Sequence, residues 1–203
     1  ALSQYIGRSA TDELNFLIGD AIIEGTGAGQ PAGITAAAAT ISVTKETGQV
    51  ASTIVLKNIN KMWSRWFDRS RRRGMWLINQ DSEPQLEELT LDVGTSGVPV
   101  YLPPGGVADT PNARLKGRPV MVSEYCATLG TVGDIIAADL SAYAVGLQGT
   151  VETAMSIHLR FDFAETVFRF MYAVDGQPWV ASALTPFKGT NTLSPFVTLA
   201  TRA

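Results

Sequence analysis

The chain has 203 residues, 45% of them hydrophobic and 17% charged, enough for one large domain or two small ones that bury roughly 70% of the unfolded surface. Sixteen basic against nineteen acidic side chains leave a formal net charge of −3, so no overall positive field draws the chain to nucleic acid or anionic membrane, and any such contact must be local. One cysteine, Cys126, and one histidine, His158, exclude an internal disulfide, every multi-cysteine metal site and the usual multi-histidine sites, a hydrolytic zinc centre among them.

Leu2, Tyr5, Ile6, Ala10, Leu14, Leu17, Ile18, Ala21 and Ile22 recur at spacings of three and four, the stripe of a helix with one face on a core, running to about Glu24. The run Gly25-Thr-Gly-Ala-Gly-Gln-Pro-Ala-Gly-Ile34 stops that helix and predicts a tight structural turn built on Gly25, Gly27, Gly29, Gln30, Pro31 and Gly33. Thr35 to Val43 reads as extended or loose. A second amphipathic stripe, Val55, Leu56, Ile59, Met62, Trp63, Trp66 and Phe67, predicts a helix capped by Ser52 or Thr53 and stopped by Gly74. Arg65, Arg69, Arg71, Arg72 and Arg73 sit near its end, where positive charge suits the helix dipole.

Met75 to Ile78 then reads as a buried strand, and Asp81 to Thr90 as a helix with Leu86 and Leu89 inward. From Val98 the pattern changes to short strands: Val98 to Leu102, a turn at Pro103-Pro104-Gly105-Gly106, Arg118 to Ser123, Asp134 to Ala138 and Val151 to Met155, with a helical turn at Asp139 to Tyr143. Between Glu165 and Val174 the even positions Phe168, Phe170, Tyr172 and Val174 are apolar, the alternation of a half-buried strand, and Asp175-Gly176 predicts a hairpin turn into Gln177 to Leu184. The fold class is α+β. No apolar run approaches the roughly 20 residues of a membrane span, and Ala1-Leu-Ser-Gln-Tyr5 lacks the basic start and apolar core of a secretion signal. A soluble, intracellular chain without a membrane partner is expected, and its opening at Ala1 within a helical pattern suggests the remnant of a longer protein.

Each stretch that could carry chemistry has a plainer reading beside it. Gly25-x-Gly-x-Gly29 could bring backbone N–H groups to a phosphate, but it follows a helix instead of a strand and no Gly-Lys-Ser/Thr occurs in the chain. A nucleophile triad would have to use His158 with Ser156, Asp162 or Glu165; neighbours along one strand point to opposite faces, and an ordinary half-exposed histidine is the simpler expectation. Cys126 has no basic neighbour within five residues and reads as a small buried hydrophobe. Arg69-Ser-Arg-Arg-Arg73 beside Trp63 and Trp66 is the best case for nucleic-acid contact, set against helix capping and salt bridges within or between subunits.

The series Ile22-Ile-Glu-Gly-Thr-Gly-Ala-Gly-Gln-Pro-Ala-Gly-Ile34, Met75-Trp-Leu-Ile-Asn79, Leu115-Lys-Gly-Arg-Pro-Val-Met-Val-Ser-Glu124, Gly133-Asp-Ile-Ile-Ala-Ala-Asp-Leu-Ser141, His158-Leu-Arg-Phe161, Asp175-Gly-Gln-Pro178 and Ser194-Pro-Phe-Val197 resembles, in order and over essentially the whole chain, the major capsid proteins of tailed bacteriophages, the Hong Kong 97 family. The resemblance implies a peripheral domain built on a spine helix and an axial domain pointing at the capsomer centre. Residues 1–35 would be the end of the spine helix and its glycine turn, 36–172 the axial domain, and 173–203 the return to the peripheral domain. The N-terminal arm and extended loop that family members carry before this point would be absent.

By the same resemblance the protein is a non-enzymatic structural subunit of a phage or prophage head, without cofactor or metal. It would assemble with itself into pentamers and hexamers around double-stranded DNA, residing in the virion capsid and, during assembly, in the host cytoplasm. A scaffolding segment, a portal and a maturation protease are the implied partners, with non-specific contact to packaged DNA. Arg69, Arg71, Arg72 and Arg73 are candidates for inter-subunit or DNA-facing contacts, and Pro103 to Gly106 for a capsomer-axis loop. The alternatives are a shell subunit of a bacterial nanocompartment of the same fold, enclosing cargo proteins, and a small hydrolase using His158.

Overall fold

The computed structural model describes residues 2–93, 96–99 and 114–202. Helix α1 (Leu2–Glu24) ends where the first glycine was expected to end it. The glycine run folds back on the helix: the Gly33 N–H donates to the Gly25 carbonyl at 2.7 Å, Ile34 N–H to the Ile22 carbonyl at 2.9 Å and Thr35 N–H to the Ile23 carbonyl at 3.0 Å. The returning chain thereby satisfies carbonyls that a helix C-terminus leaves unpaired. Gly27 and Gly29 have φ of 75° and 72°, and a Cβ on Gly25 would lie 2.2 Å from the Pro31 carbonyl oxygen, so glycine is required by conformation at two positions and by space at a third.

Strand β1 (Ile41–Val43) is followed by α2 (Leu56–Arg65), the short α3 (Asp68–Arg71) and β2 (Met75–Ile78). The expected cap at Ser52 or Thr53 is corrected. Val55 holds the N-cap position, and the Asn58 side chain reaches back to accept from the Val55 N–H at 3.1 Å. Ser52 instead stands at φ 51° in the preceding turn, and the Thr53 hydroxyl donates to the Val50 carbonyl. The single helix expected to run to Gly74 breaks at Trp66 into α2 and α3, and the Trp66 ring fills the space beside Gly74. The helix expected over Asp81 to Thr90 is only α4 (Glu83–Glu87) after one 3₁₀ turn, because β3 (Thr90–Val93) takes up the chain to pair with β4 (Ser96–Pro99). Leu86 and Leu89 are buried as expected. The turn expected at Pro103 to Gly106, and the end of the strand expected at Val98 to Leu102, lie outside the described residues.

Strands β5 (Arg114–Leu115), β6 (Arg118–Val122), β7 (Ile135–Ala138) and β10 (Phe196–Leu199) complete a mixed six-stranded sheet in the order β1-β10-β7-β2-β6-β5. Alternate residues of its central strands enter opposite cores. Trp76, Ile78, Ile135, Ala137, Val197 and Leu199 pack with Ile59, Met62 and Trp66. On the other face Leu77, Ile136, Ala138 and Phe196 pack with Ile23, Ile34 and Cys126. Cover on both faces explains why the central strands β2, β7 and β10 read as nearly unbroken apolar runs.

Strands β8 (Tyr143–Ser156) and β9 (Val167–Pro178) form a separate antiparallel hairpin that leaves the sheet and runs along α1. The hairpin turn expected at Asp175-Gly176 is corrected: β9 continues through both residues, pairing Asp175 with Gly146 and Gly176 with Val145. Gly176 serves close approach instead of chain reversal, since a Cβ there would lie 2.8 Å from the Tyr143 ring. The boundary expected at 172/173 falls inside β9, and β10, from the C-terminal segment, joins the same sheet as β1 and β7.

Candidate assembly surfaces

The arginine segment is built by the α2–α3 break, and its members do different things. Arg65 donates to the Thr192 carbonyl and hydroxyl, both at 2.7 Å. Arg71 turns inward: its Nε donates to the Trp66 carbonyl at 2.9 Å, its Nη2 to the Ser64 carbonyl at 3.3 Å, and its guanidinium lies 5.2 Å from the centre of the Trp63 ring. That is capping of the α2 C-terminus combined with a cation–π contact. Arg72 pairs with Asp68 at 3.5 Å on the surface, and its carbonyl accepts from Arg118 at 2.5 Å, which joins the segment to the exposed Arg114 and Lys116 of the β5–β6 turn. Arg69 and Arg73 are exposed, and among the described residues their side chains make no hydrogen bond or ion pair.

Trp63, Trp66 and Trp76 form one cluster, with ring centres 5.5–6.5 Å apart. Both buried indoles donate to carbonyls, Trp66 to Pro195 and Trp76 to Leu115, each at 3.0 Å. They are core residues and offer no stacking platform to a base.

Arg69 and Arg73 line an open groove of about 440 Å³ together with Phe67, Asp139, Trp179 and Val180. Trp179 is 80% exposed. Asp139 is occupied, its Oδ1 accepting from the Ser141 N–H at 3.1 Å and the Ser141 hydroxyl at 2.6 Å.

The glycine turn holds α1 against the base of the hairpin. The Ala32 N–H donates to the Gly176 carbonyl at 2.7 Å, and the Tyr143 hydroxyl donates to the Ala32 carbonyl at 2.8 Å. No helix follows the run, and the N–H groups of Gly25, Gly27 and Gly33 donate to the Ala21, Pro31 and Gly25 carbonyls, which is the geometry of a structural turn. Further along, Gly7 of α1 faces Thr153, Met155, Phe168 and Phe170. The expected alternation holds from Phe168 to Val174, with the even positions half-buried and the odd ones exposed.

Beyond Gly7 the hairpin tip projects apolar side chains into solvent. Leu159, Phe161 and Phe163 are 74%, 78% and 68% exposed. Arg160 pairs with Glu165 at 2.9 Å and lies over the Phe163 ring. His158 is an exposed residue of this tip, and no hydrogen bond among the described residues links its imidazole to Ser156, Asp162 or Glu165; only its backbone N–H meets the Ser156 hydroxyl, at 3.3 Å.

Cys126 is buried, and burial first, then Glu24 and Asp134, pushes its thiol up to about 12, far from an activated thiolate. Among the described residues no group of three or more His, Cys, Asp or Glu could hold a metal ion, and no helix is long and apolar enough to cross a membrane.

One buried pair escaped the sequence reading. Arg202 and Asp134 are wholly buried and ion-paired. Asp134 Oδ2 also accepts from the Gly130 N–H at 2.9 Å, while Arg202 Nε donates to the Thr53 carbonyl at 2.7 Å. The Arg202 backbone bonds both ways as well, its N–H to the Gly130 carbonyl and its carbonyl from the Ser52 N–H, each at 2.8 Å. Positions 134 and 202 are too far apart in the chain for spacing to betray them.

The family model described as "Phage capsid family" matches residues 1–189. The chain belongs to the phage capsid family. A search of curated protein sequences finds no match. Among solved structures, the capsid of an empty GTA particle computed with C5 symmetry is similar over 99% of this chain, with a TM-score of 0.73 at 14% identity. The capsid of the native GTA particle, also computed with C5 symmetry, is similar over the same 99%, with a TM-score of 0.68 at 14% identity. This capsid-family chain spans 66% of the length of each of those chains. The α+β fold is thus of the phage-capsid type.

Proposed function

We propose that the chain is a structural subunit of a phage-type head, with the Hong Kong 97 arrangement of peripheral and axial parts, assembling into pentamers and hexamers around double-stranded DNA. The observation that carries this reading is the family match together with a capsid-type fold along nearly the whole chain. The surface agrees with it: large apolar side chains stand out on α1 and the hairpin, including Tyr5, Phe16, Leu17, Leu147 and Met155, as a subunit covered by its neighbours requires. In place of the expected division at residues 35 and 172, we assign the peripheral part to α1, the glycine turn and the β8–β9 hairpin, and the axial part to the six-stranded sheet with α2 to α4.

Of the arginines, Arg71 supports its own subunit. Arg72, with Arg114, Lys116 and Arg118, forms a basic corner suited to packaged DNA, and Arg69 and Arg73, whose side chains have no partner among the described residues, are available to a neighbour. Scaffolding segment, portal and protease remain the partners that such a head would use.

The test is to express the complete reading frame containing this chain and measure particle mass by light scattering with negative-stain microscopy. Closed shells holding nucleic acid are expected. Soluble monomers at every salt and pH overturn the reading, and shells filled with protein instead of nucleic acid select the nanocompartment.

A further inference from the structure

We propose that the groove between Arg69, Arg73 and Trp179 is the docking site for an acidic segment of a partner protein. Such a segment sets two carboxylates against the two guanidinium groups and lays an apolar side chain between them on Trp179. The inference goes beyond the capsid reading and does not depend on it.

Charge is divided along the six-stranded sheet. At the Met75 end of β2 stand Arg69, Arg72 and Arg73, and the parallel strand β6 with its turn brings Arg114, Lys116 and Arg118 to the same end. Asp68 and Asp139 lie among them, and both are engaged, Asp68 by Arg72 and Asp139 by Ser141. The Ile78 end carries Asp81, Glu83, Glu87, Glu88 and Glu124, with Lys57 lining the same groove as Glu88. A chain of formal net charge −3 thus keeps a positive pole at one end of its sheet, which attracts an acidic segment and repels a basic one.

Within the arginine segment, the unpartnered pair is the pair that lines the groove. Arg65 is held by Thr192, Arg71 by the Trp66 carbonyl and Arg72 by Asp68, whereas the side chains of Arg69 and Arg73 have no partner among the described residues. The walls of this groove of about 440 Å³ are otherwise mostly apolar, formed by Phe67, Trp179, Val180, Leu184 and Pro195, and Trp179 is 80% exposed. Arginine and an aromatic side chain in one concave patch are the anchors that protein interfaces are built on. Covered by a bound segment, each guanidinium would form charge-assisted hydrogen bonds with a carboxylate.

The same lining argues for a polypeptide over a nucleic acid. Two separate cations on apolar walls suit discrete carboxylates with an apolar residue between them. A nucleic-acid strand would set its continuous phosphate charge beside Asp139, and it meets denser positive charge outside the groove, at Arg114, Lys116 and Arg118.

Trp179 supplies the readout. Of the four tryptophans, Trp66 and Trp76 are buried and Trp63 is half-buried, so the emission that acrylamide quenches most readily comes from the groove. The probe is the peptide acetyl-Gly-Glu-Leu-Leu-Asp-Gly-amide, which has no indole, titrated into the chain at low ionic strength. It should protect the emission from acrylamide saturably, and a control peptide with lysine for both acidic residues should not. Arg69→Glu with Arg73→Glu should keep the far-ultraviolet circular dichroism, weaken the acidic peptide by roughly tenfold or more and accept the lysine peptide in its place. No saturable protection of the parent, equal affinity for the two peptides, or undiminished binding by the reversed variant overturns the inference. Tighter binding of an oligothymidylate than of the acidic peptide at the same salt assigns the groove to nucleic acid and overturns it too. So does self-association of the chain alone that the reversal abolishes, which assigns the groove to a second copy. Each measurement uses the dissociated chain, so failure of the complete reading frame to form particles bears on the capsid reading alone.

Discussion

Arg202 sits one residue from the end of the sequence and is wholly buried, an unusual place for an arginine. It ties together three segments: the Ser52–Thr53 turn, the Gly130–Asp134 loop and its own strand exit. Burial raises the Asp134 carboxyl, opposed by the Gly130 N–H and by Arg202 itself. Removing the arginine alone leaves a buried carboxylate uncompensated, so Arg202→Met should cost about 3–5 kcal/mol in urea unfolding, while Arg202→Met with Asp134→Leu should recover most of that loss. Equal destabilisation by the single and double variants would show that the backbone bonds, not the ion pair, hold the segment.

Glu24 offers a pH handle at the same scale. Burial and then Asp20, one turn earlier, raise its carboxyl above the ordinary 4.5. Because the folded-state value is the higher one, this group favours folding most below about 4.5 and the contribution disappears as pH rises through the raised value. Glu24→Gln should therefore raise Tm at pH 7 and change it little at pH 4, by differential scanning calorimetry. An equal gain at both pH values would exclude the charge as the cause.

At the scale of the elements, glycines with similar local signatures serve opposite ends. Gly74 joins α3 to β2, where a Cβ would lie 2.1 Å from Cζ2 of Trp66 and 2.8 Å from the Ala138 carbonyl oxygen. Neither neighbour can move without disturbing the tryptophan cluster, so Gly74→Ala should destabilise by about 1–3 kcal/mol. Gly7 lies inside α1 and has nothing within 4 Å of its would-be Cβ. There Gly7→Ala should stabilise by about 0.5–1 kcal/mol through helix propensity alone. Thermal melts of the two variants give opposite signs if this reading of the space around each is right.

The same elements mark how far the sequence could be read. Met75–Ile78 was legible because burial on both faces of a sheet writes itself as an unbroken apolar run, and Leu2–Glu24 because its apolar residues recur at helical spacing, although Tyr5 and Leu17 of that stripe are exposed in the fold. The hairpin was misplaced because its turn lacks turn residues. Ile157 to Thr166 contains neither glycine nor proline, and Ala164 takes the left-handed conformation at φ 55°. Asp175-Gly176, a strong local turn signal, is overruled by pairing with Val145 and Gly146, about 30 residues away in the chain. Among the candidate residues, the glycine turn was readable from composition, whereas only tertiary structure separates the inward Arg71 from the free Arg69 and Arg73.

For the whole molecule, the lone cysteine is a built-in reporter. Cys126 lies beneath the face of the sheet that α1 and the glycine turn cover, packed with Ile23, Ile34 and Phe196, so it becomes reachable only when those layers part. Burial pushes its thiol up to about 12, and an aromatic disulfide reagent attacks the thiolate. At pH 8 labelling should therefore be slow in buffer and accelerate with urea along the same midpoint as Trp fluorescence, which reports the opposite core around Trp66 and Trp76. Coincident midpoints would mean that both faces of the sheet open as one cooperative unit. Labelling that completes before the tryptophan transition would instead divide the molecule at the sheet, with α1 and its hairpin detaching first. In a shell subunit, that would identify α1 and the hairpin as the part able to shift against the sheet while neighbouring copies hold on to it.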